Sequence, residues 1–127
     1  MNQRRKILEP DPGHPITIAP NPKRVRVAFN GRVIADTRSA LTLREAAYPA
    51  VQYIPRQDVD MDSLARSTHA SHCPFKGDAA YYSVRVQGRE AANAVWTYEN
   101  PYPAVASIGG YLAFYPDRVD RVEELAD

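Results

Sequence analysis

Cysteine is almost missing from this chain: Cys73 is the only one among 127 residues. No internal disulfide can form, and zinc knuckles built from four thiolates are excluded. Long apolar runs are missing too. Nothing approaches the ~18 residues that cross a bilayer. Arg4-Arg5-Lys6 leads into Glu9-Pro10-Asp11-Pro12, where a secretion signal would place an apolar core, so the expected setting is cytoplasmic with no membrane partner. Neither sign of charge dominates. Sixteen basic residues against fifteen acidic ones give a net charge of +1, which removes the bulk electrostatic case for binding nucleic acid. There is no Gly-Lys-Ser/Thr phosphate loop. Asp58-Val59-Asp60-Met61-Asp62 fails as a calcium loop, because Ser63 and His69 stand where glycine and glutamate are needed. Asp60 and Asp62 also lack a preceding Gly-Ser signature for metal-dependent nucleotidyl transfer, and they read as a solvated turn.

What is present is proline, 11 residues of it, set between short apolar runs. Such punctuation divides a chain into strands. Val25–Phe29, Asn30-Gly31 and Arg32–Ala35 form the strongest local pattern, since Asn-Gly accepts the positive φ angles of a tight hairpin turn. Tyr82–Val86, Gln87-Gly88 and Arg89–Trp96 repeat that grammar and place Arg85 opposite Glu90. Ala40–Glu45 and Val51–Ile54 are further short strands. Val59–Ala65 reads as a single turn, Ser67–Gly77 as a loop, and Tyr102–Ala106 as a short helix with Pro103 in its first turn. Tyr111–Tyr115 reads as a closing strand, and Asp117–Leu125 has the spacing of a capping helix. Residues 1–15, rich in Pro and polar groups, read as a flexible lead-in to one folded domain over 16–127. The length suits one compact core. The fold class is mostly β and antiparallel, with one or two short helices.

Three constellations could carry chemistry. His69-Ala70-Ser71-His72-Cys73-Pro74-Phe75-Lys76-Gly77 gathers a thiol, two imidazoles and an ammonium. A thiol near Lys76 or a protonated histidine has its thiolate stabilised, which makes Cys73 a candidate nucleophile with His72 or Glu45 handling the proton. The alternative is a buried, inert Cys73. The same histidines and Cys73 are too few and too poorly spaced for a closed metal site, so no metal or other cofactor is expected. Aromatic residues form the third group: Tyr82, Trp96 and Tyr98 suit either a ligand cage or ordinary sheet packing. Arg44, Glu45 and Lys76 would supply the polar groups that orient a ligand.

Leu43-Arg44-Glu45, Tyr48-Pro49, Tyr53-Ile54-Pro55, Cys73-Pro74-Phe75-Lys76-Gly77, Tyr81-Tyr82, Trp96-Thr97-Tyr98, Pro101 and Tyr111–Pro116 occur in an order that resembles the bacterial and fungal family known as domain of unknown function four hundred twenty-seven. The likeness spans about residues 14 to 120. It implies a β-tent, two small antiparallel sheets meeting at an angle, similar to Mss-four, the methionine-R-sulfoxide reductases and the thalidomide-binding domain of cereblon. The zinc of many β-tent relatives sits on paired Cys-x-x-Cys knuckles, which one cysteine cannot supply. A nucleotidyltransferase label sometimes attached to the family finds no matching motif here. The reading that results is a domain whose cleft, lined by Tyr82, Trp96 and Tyr98 and edged by Arg44, Glu45, Cys73 and Lys76, binds a small polar or anionic metabolite. An enzyme using Cys73, with Glu45 as a catalytic partner, and a non-catalytic protein-interaction module are the alternatives.

Overall fold

The computed structural model describes residues 6–126, and the first five residues of the lead-in, with Arg4 and Arg5, lie outside the described residues. Ten strands account for most of it: β1 (Ile16–Pro20), β2 (Arg24–Phe29), β3 (Arg32–Thr37), β4 (Leu41–Glu45), β5 (Val51–Tyr53), β6 (Leu64–Cys73), β7 (Gly77–Val86), β8 (Arg89–Tyr98), β9 (Leu112–Phe114) and β10 (Arg121–Leu125). Short 3₁₀ turns at Arg56–Asp58, Met61–Ser63 and Pro103–Ile108 complete the described regular structure. The fold is mostly β, in small antiparallel sheets with little helix, and no described helix is long and apolar enough to cross a membrane.

Both hairpins form in the register their turns dictate. Asn30 and Gly31 have φ of 51° and 78°, and Phe29 pairs with Arg32 across them. Gln87 and Gly88 close β7 onto β8, placing Arg85 opposite Glu90 with Nε 3.5 Å from Oε1. Two segments depart from expectation. Ser67–Cys73 continues β6 instead of looping, because its backbone pairs with β7 as far as Cys73↔Gly77. Residues 121–125 form strand β10 and not a capping helix, since that backbone completes the edge of β2.

Hydrogen bonding gives three sheets, ordered β1-β4-β5, β10-β2-β3 and β6-β7-β8-β9, where two were expected. Ile54 and Leu112 exchange both backbone hydrogen bonds at 2.8 Å and stitch the first sheet onto the last. Alternation along β7 then divides the core. Tyr82, Val84 and Val86 face Val25, Val27, Phe29 and Ile34, whereas Ala79 and Tyr81 face Leu43, Tyr53, Val105 and Ile108. Residues 81–84 of β7 are thus buried on both faces of the sheet, and the single core suggested by length is two clusters on either side of it.

Candidate functional site

The second of these clusters does not close. A cleft of about 230 Å³ remains between the two stitched sheets, lined by Leu43 and Glu45 of β4, Val51 and Tyr53 of β5, Lys76, Tyr81 of β7, Trp96 and Tyr98 of β8, and Tyr115. Strand periodicity explains the membership: Leu43 and Glu45, Val51 and Tyr53, and Trp96 and Tyr98 are each two residues apart and share a face.

Lys76 sits in the turn between β6 and β7, where its N–H donates to the Cys73 carbonyl at 3.2 Å and its carbonyl accepts from Tyr102 N–H at 3.0 Å. The next residue must be glycine. Gly77 has φ of 111°, a backbone conformation that residues carrying a Cβ rarely adopt. So held, Lys76 directs its ammonium to Glu45 Oε1, and the two side chains are only 10% and 14% exposed. The other oxygen of Glu45 accepts from His14 Nε2 at 2.7 Å. His14 in turn lies flat on Phe75, with ring centroids 4.0 Å apart and planes at 7°. The lead-in is tied down around it: Leu8 N–H donates to the Pro74 carbonyl at 2.9 Å, Asp11 accepts from Gly13 and His14 N–H, and Ala46 N–H donates to the Pro15 carbonyl at 2.8 Å. Residues 8–15 therefore hold His14 against Glu45 without lining the cleft themselves.

Burial pushes the Glu45 carboxyl up, but hydrogen bonds from Lys76 and His14 outweigh it and hold the group below its ordinary value of 4.5. A carboxyl with a depressed folded-state pKa contributes stability that is complete above its unfolded value and is lost as pH falls through the folded value. Acid unfolding of the protein below pH 4.5 should accordingly carry a contribution from this group. In Glu45→Gln the loss of stability with falling pH should be shallower, measured as urea midpoints at successive pH values; an unchanged slope would remove Glu45 from the acid response.

The phenols around the pair are kept protonated. Burial raises the pKa of Tyr53, with the indole N–H of Trp96, 3.2 Å from its hydroxyl, opposing the shift. Burial likewise raises Tyr98, and pushes Tyr115 up to about 12 with the Tyr81 hydroxyl adding to the effect. The cleft therefore presents neutral hydroxyls that donate and accept, one ammonium and one carboxylate.

Of the residues singled out from sequence, Glu45, Lys76, Trp96 and Tyr98 converge. Arg44 does not: it is exposed on the opposite face of β4, beside Thr17, Asn21 and Glu124, because neighbouring residues of a strand point to opposite sides. Tyr82 fails for the same reason. It is buried in the other cluster, its ring under Arg66 and its hydroxyl 3.3 Å from Arg56 Nη1. Cys73 is half-buried and packs behind the cleft without lining it. His72 has its Nδ1 2.7 Å from Asp78 Oδ1 and does not line the cleft. Tyr53, Tyr81, Tyr115 and His14 were the residues missed. The first three follow from alternation once Glu45 and Trp96 are set inward; His14 carries no local signal and is brought in by tertiary packing alone. The segment Cys73–Gly77 acts here through Phe75 and Lys76.

No curated protein matches the chain. Glu45, Lys76, Trp96 and the four cleft tyrosines all fall within residues 17–125, the stretch over which the sequence matches a family model described as "Domain of unknown function (DUF427)"; the chain belongs to that family.

Proposed function

We propose that this cleft binds a small polar or anionic metabolite, in a cytoplasmic domain, with Lys76 as the principal donor and Trp96, Tyr98 and Tyr81 as its aromatic walls. The observation that carries this is the Lys76–Glu45 pair, nearly buried yet lining a cavity. Such a pair is a poor stabilising device, because the cost of removing two charges from water is of the same order as their attraction. Its position makes better sense as recognition. Lys76 has three N–H donors and Glu45 engages one, leaving donors for a ligand. Glu45 is clamped from both sides by Lys76 and His14, which fixes the ammonium in place before a ligand arrives. The volume of about 230 Å³ falls below the ~300–1,000 Å³ of drug-sized sites and suits a ligand head of the size of a simple organic acid or a single sugar.

The test is a thermal-shift panel of carboxylates, sugar phosphates, nucleotides and divalent metals. A ligand that binds only the folded state raises the midpoint. A hit should vanish in Lys76→Met and survive both Arg44→Ala and Cys73→Ser. A hit abolished by Arg44→Ala would move the site to the other face of β4, and a hit abolished by Cys73→Ser would restore the thiol to the chemistry. No hit in any class would favour the protein-interaction reading.

A further inference from the structure

Behind Trp96 lies a second cavity of about 370 Å³ whose character is the opposite of the first. Val27, Ile54, Phe114 and Val122 form its depth, and Tyr48 and Ala50 stand at its mouth. Its one amide side chain, Gln52, has its carbonyl oxygen already engaged, accepting from Thr42 Oγ1 at 2.8 Å and Asn21 Nδ2 at 2.9 Å. An occupant would therefore meet hydrocarbon and aromatic surface.

Three residues, Val51, Trp96 and Tyr115, line both cavities. Trp96 is the shared wall. On the polar side its N–H reaches the Tyr53 hydroxyl, with the rings edge-on at 87°; its ring also leans on Tyr115, with centroids 4.4 Å apart. The mouth of the apolar cavity is connected to the polar pair through the backbone. Tyr48 N–H donates to the Glu45 carbonyl at 2.9 Å, and Ala46 between them is held at φ of 47°, a conformation that residues with a Cβ rarely adopt. This turn carries Tyr48 to the rim of the apolar cavity, with 66% of its surface exposed.

We propose that the natural ligand is amphipathic: an organic acid whose anionic head meets Lys76 and whose hydrocarbon tail occupies the apolar cavity between Trp96 and Tyr48. The inference rests on the binding role given to Lys76 above and adds the substrate class. Polar head and apolar tail would then be read by two faces of one wall, and neither cavity alone would give much affinity.

Trp96 is the chain's only tryptophan, so its fluorescence reports on both cavities. Straight-chain carboxylates from butyrate to octanoate, and the n-alcohols of the same lengths, are titrated against the wild type, Lys76→Met and Ala50→Phe. Carboxylate affinity should rise roughly two- to fourfold per methylene. Ala50→Phe, which fills the mouth of the apolar cavity from an exposed position, should collapse the ratio of octanoate to butyrate affinity. Lys76→Met should weaken carboxylates at least tenfold and alcohols little; the double variant Glu45→Gln/Lys76→Met, which strands no charge, gives the same readout should the single variant unfold. Carboxylates that depend on Lys76 but bind equally at every chain length would overturn the amphipathic ligand and leave the anion-binding role intact. Carboxylates and alcohols binding alike, with no dependence on Lys76, would overturn the anion-binding role and with it the joint site. Failure of both series to bind would overturn both.

Discussion

Glu45→Gln should lower the stability of the folded protein by up to about 3 kcal/mol, although it removes no packing volume. The substitution keeps a carbonyl oxygen that can accept from Lys76, so what is lost is charge. The ammonium of Lys76, 10% exposed, would remain inside the fold opposite a neutral amide, and its position is fixed by the backbone bonds that Lys76 makes with Cys73 and Tyr102. Breaking one side of a buried pair costs more than the pair contributes, because the surviving charge stays desolvated. Lys76→Met should cost less: it leaves Glu45 with its second partner, His14, and fills the same space with an apolar chain. The double variant Glu45→Gln/Lys76→Met should recover most of the loss. Urea unfolding at neutral pH measures all three, the midpoint moving with an unchanged slope. A loss below about 0.5 kcal/mol in Glu45→Gln, the range of ordinary surface substitutions, would mean that the ammonium escapes to solvent and that the pair is not the fixed floor of the cleft.

The parts of this molecule legible in its sequence are those with a local cause. Asn30-Gly31 and Gln87-Gly88 set two hairpins because the turn geometry depends on the turn residues themselves, and the opposition of Arg85 to Glu90 follows by counting. Pro103 at the start of a short helical turn is of the same kind. Ser67–Cys73 was misread because its composition is polar and its strand character comes from the partner backbone of β7. Arg118, Val122 and Leu125 fit a helical spacing, and only the open edge of β2 makes Arg121–Leu125 a strand. The site shows the same division. Residue type alone picks out Glu45, Lys76, Trp96 and Tyr98, which line one cleft. It picks out Arg44 and Tyr82 as well, which lie away from that cleft: a strand that turns Glu45 inward turns Arg44 outward, and one that presents Tyr81 to the cleft turns Tyr82 into the other cluster. His14 lies 31 residues before Glu45, and nothing in residues 8–15 announces a partner at that distance.

The second large effect belongs to the joint between the sheets. Leu112→Ala should destabilise the protein by about 2–5 kcal/mol. Its side chain is fully buried in the cluster that holds Val27, Ile54, Val95 and Phe114, and its backbone makes two ladders at once, with Thr97 on β8 and with Ile54 beyond β5. Truncation leaves a cavity that the surroundings cannot easily fill, since both neighbouring backbones are fixed by those bonds. The consequence for function follows from position. Ile54 is next to Tyr53, and Leu112 lies one strand turn before Phe114 and Tyr115, so the joint sets the spacing between the two walls of the cleft. A conservative change, Leu112→Val, should then reduce stability by about 1 kcal/mol and shift Trp96 emission in the folded state, because the Tyr53 hydroxyl and the Tyr115 ring that contact the indole both hang from this joint. Val84→Ala, a truncation in the same buried cluster at a residue that neither forms the joint nor lines the cleft, serves as the comparison. Equal changes in Trp96 emission per unit of lost stability in Leu112 and Val84 variants would mean that the cleft follows general loosening of the fold. A larger change in the Leu112 variants would identify the Ile54–Leu112 stitch as the element that holds the aromatic walls at their working distance.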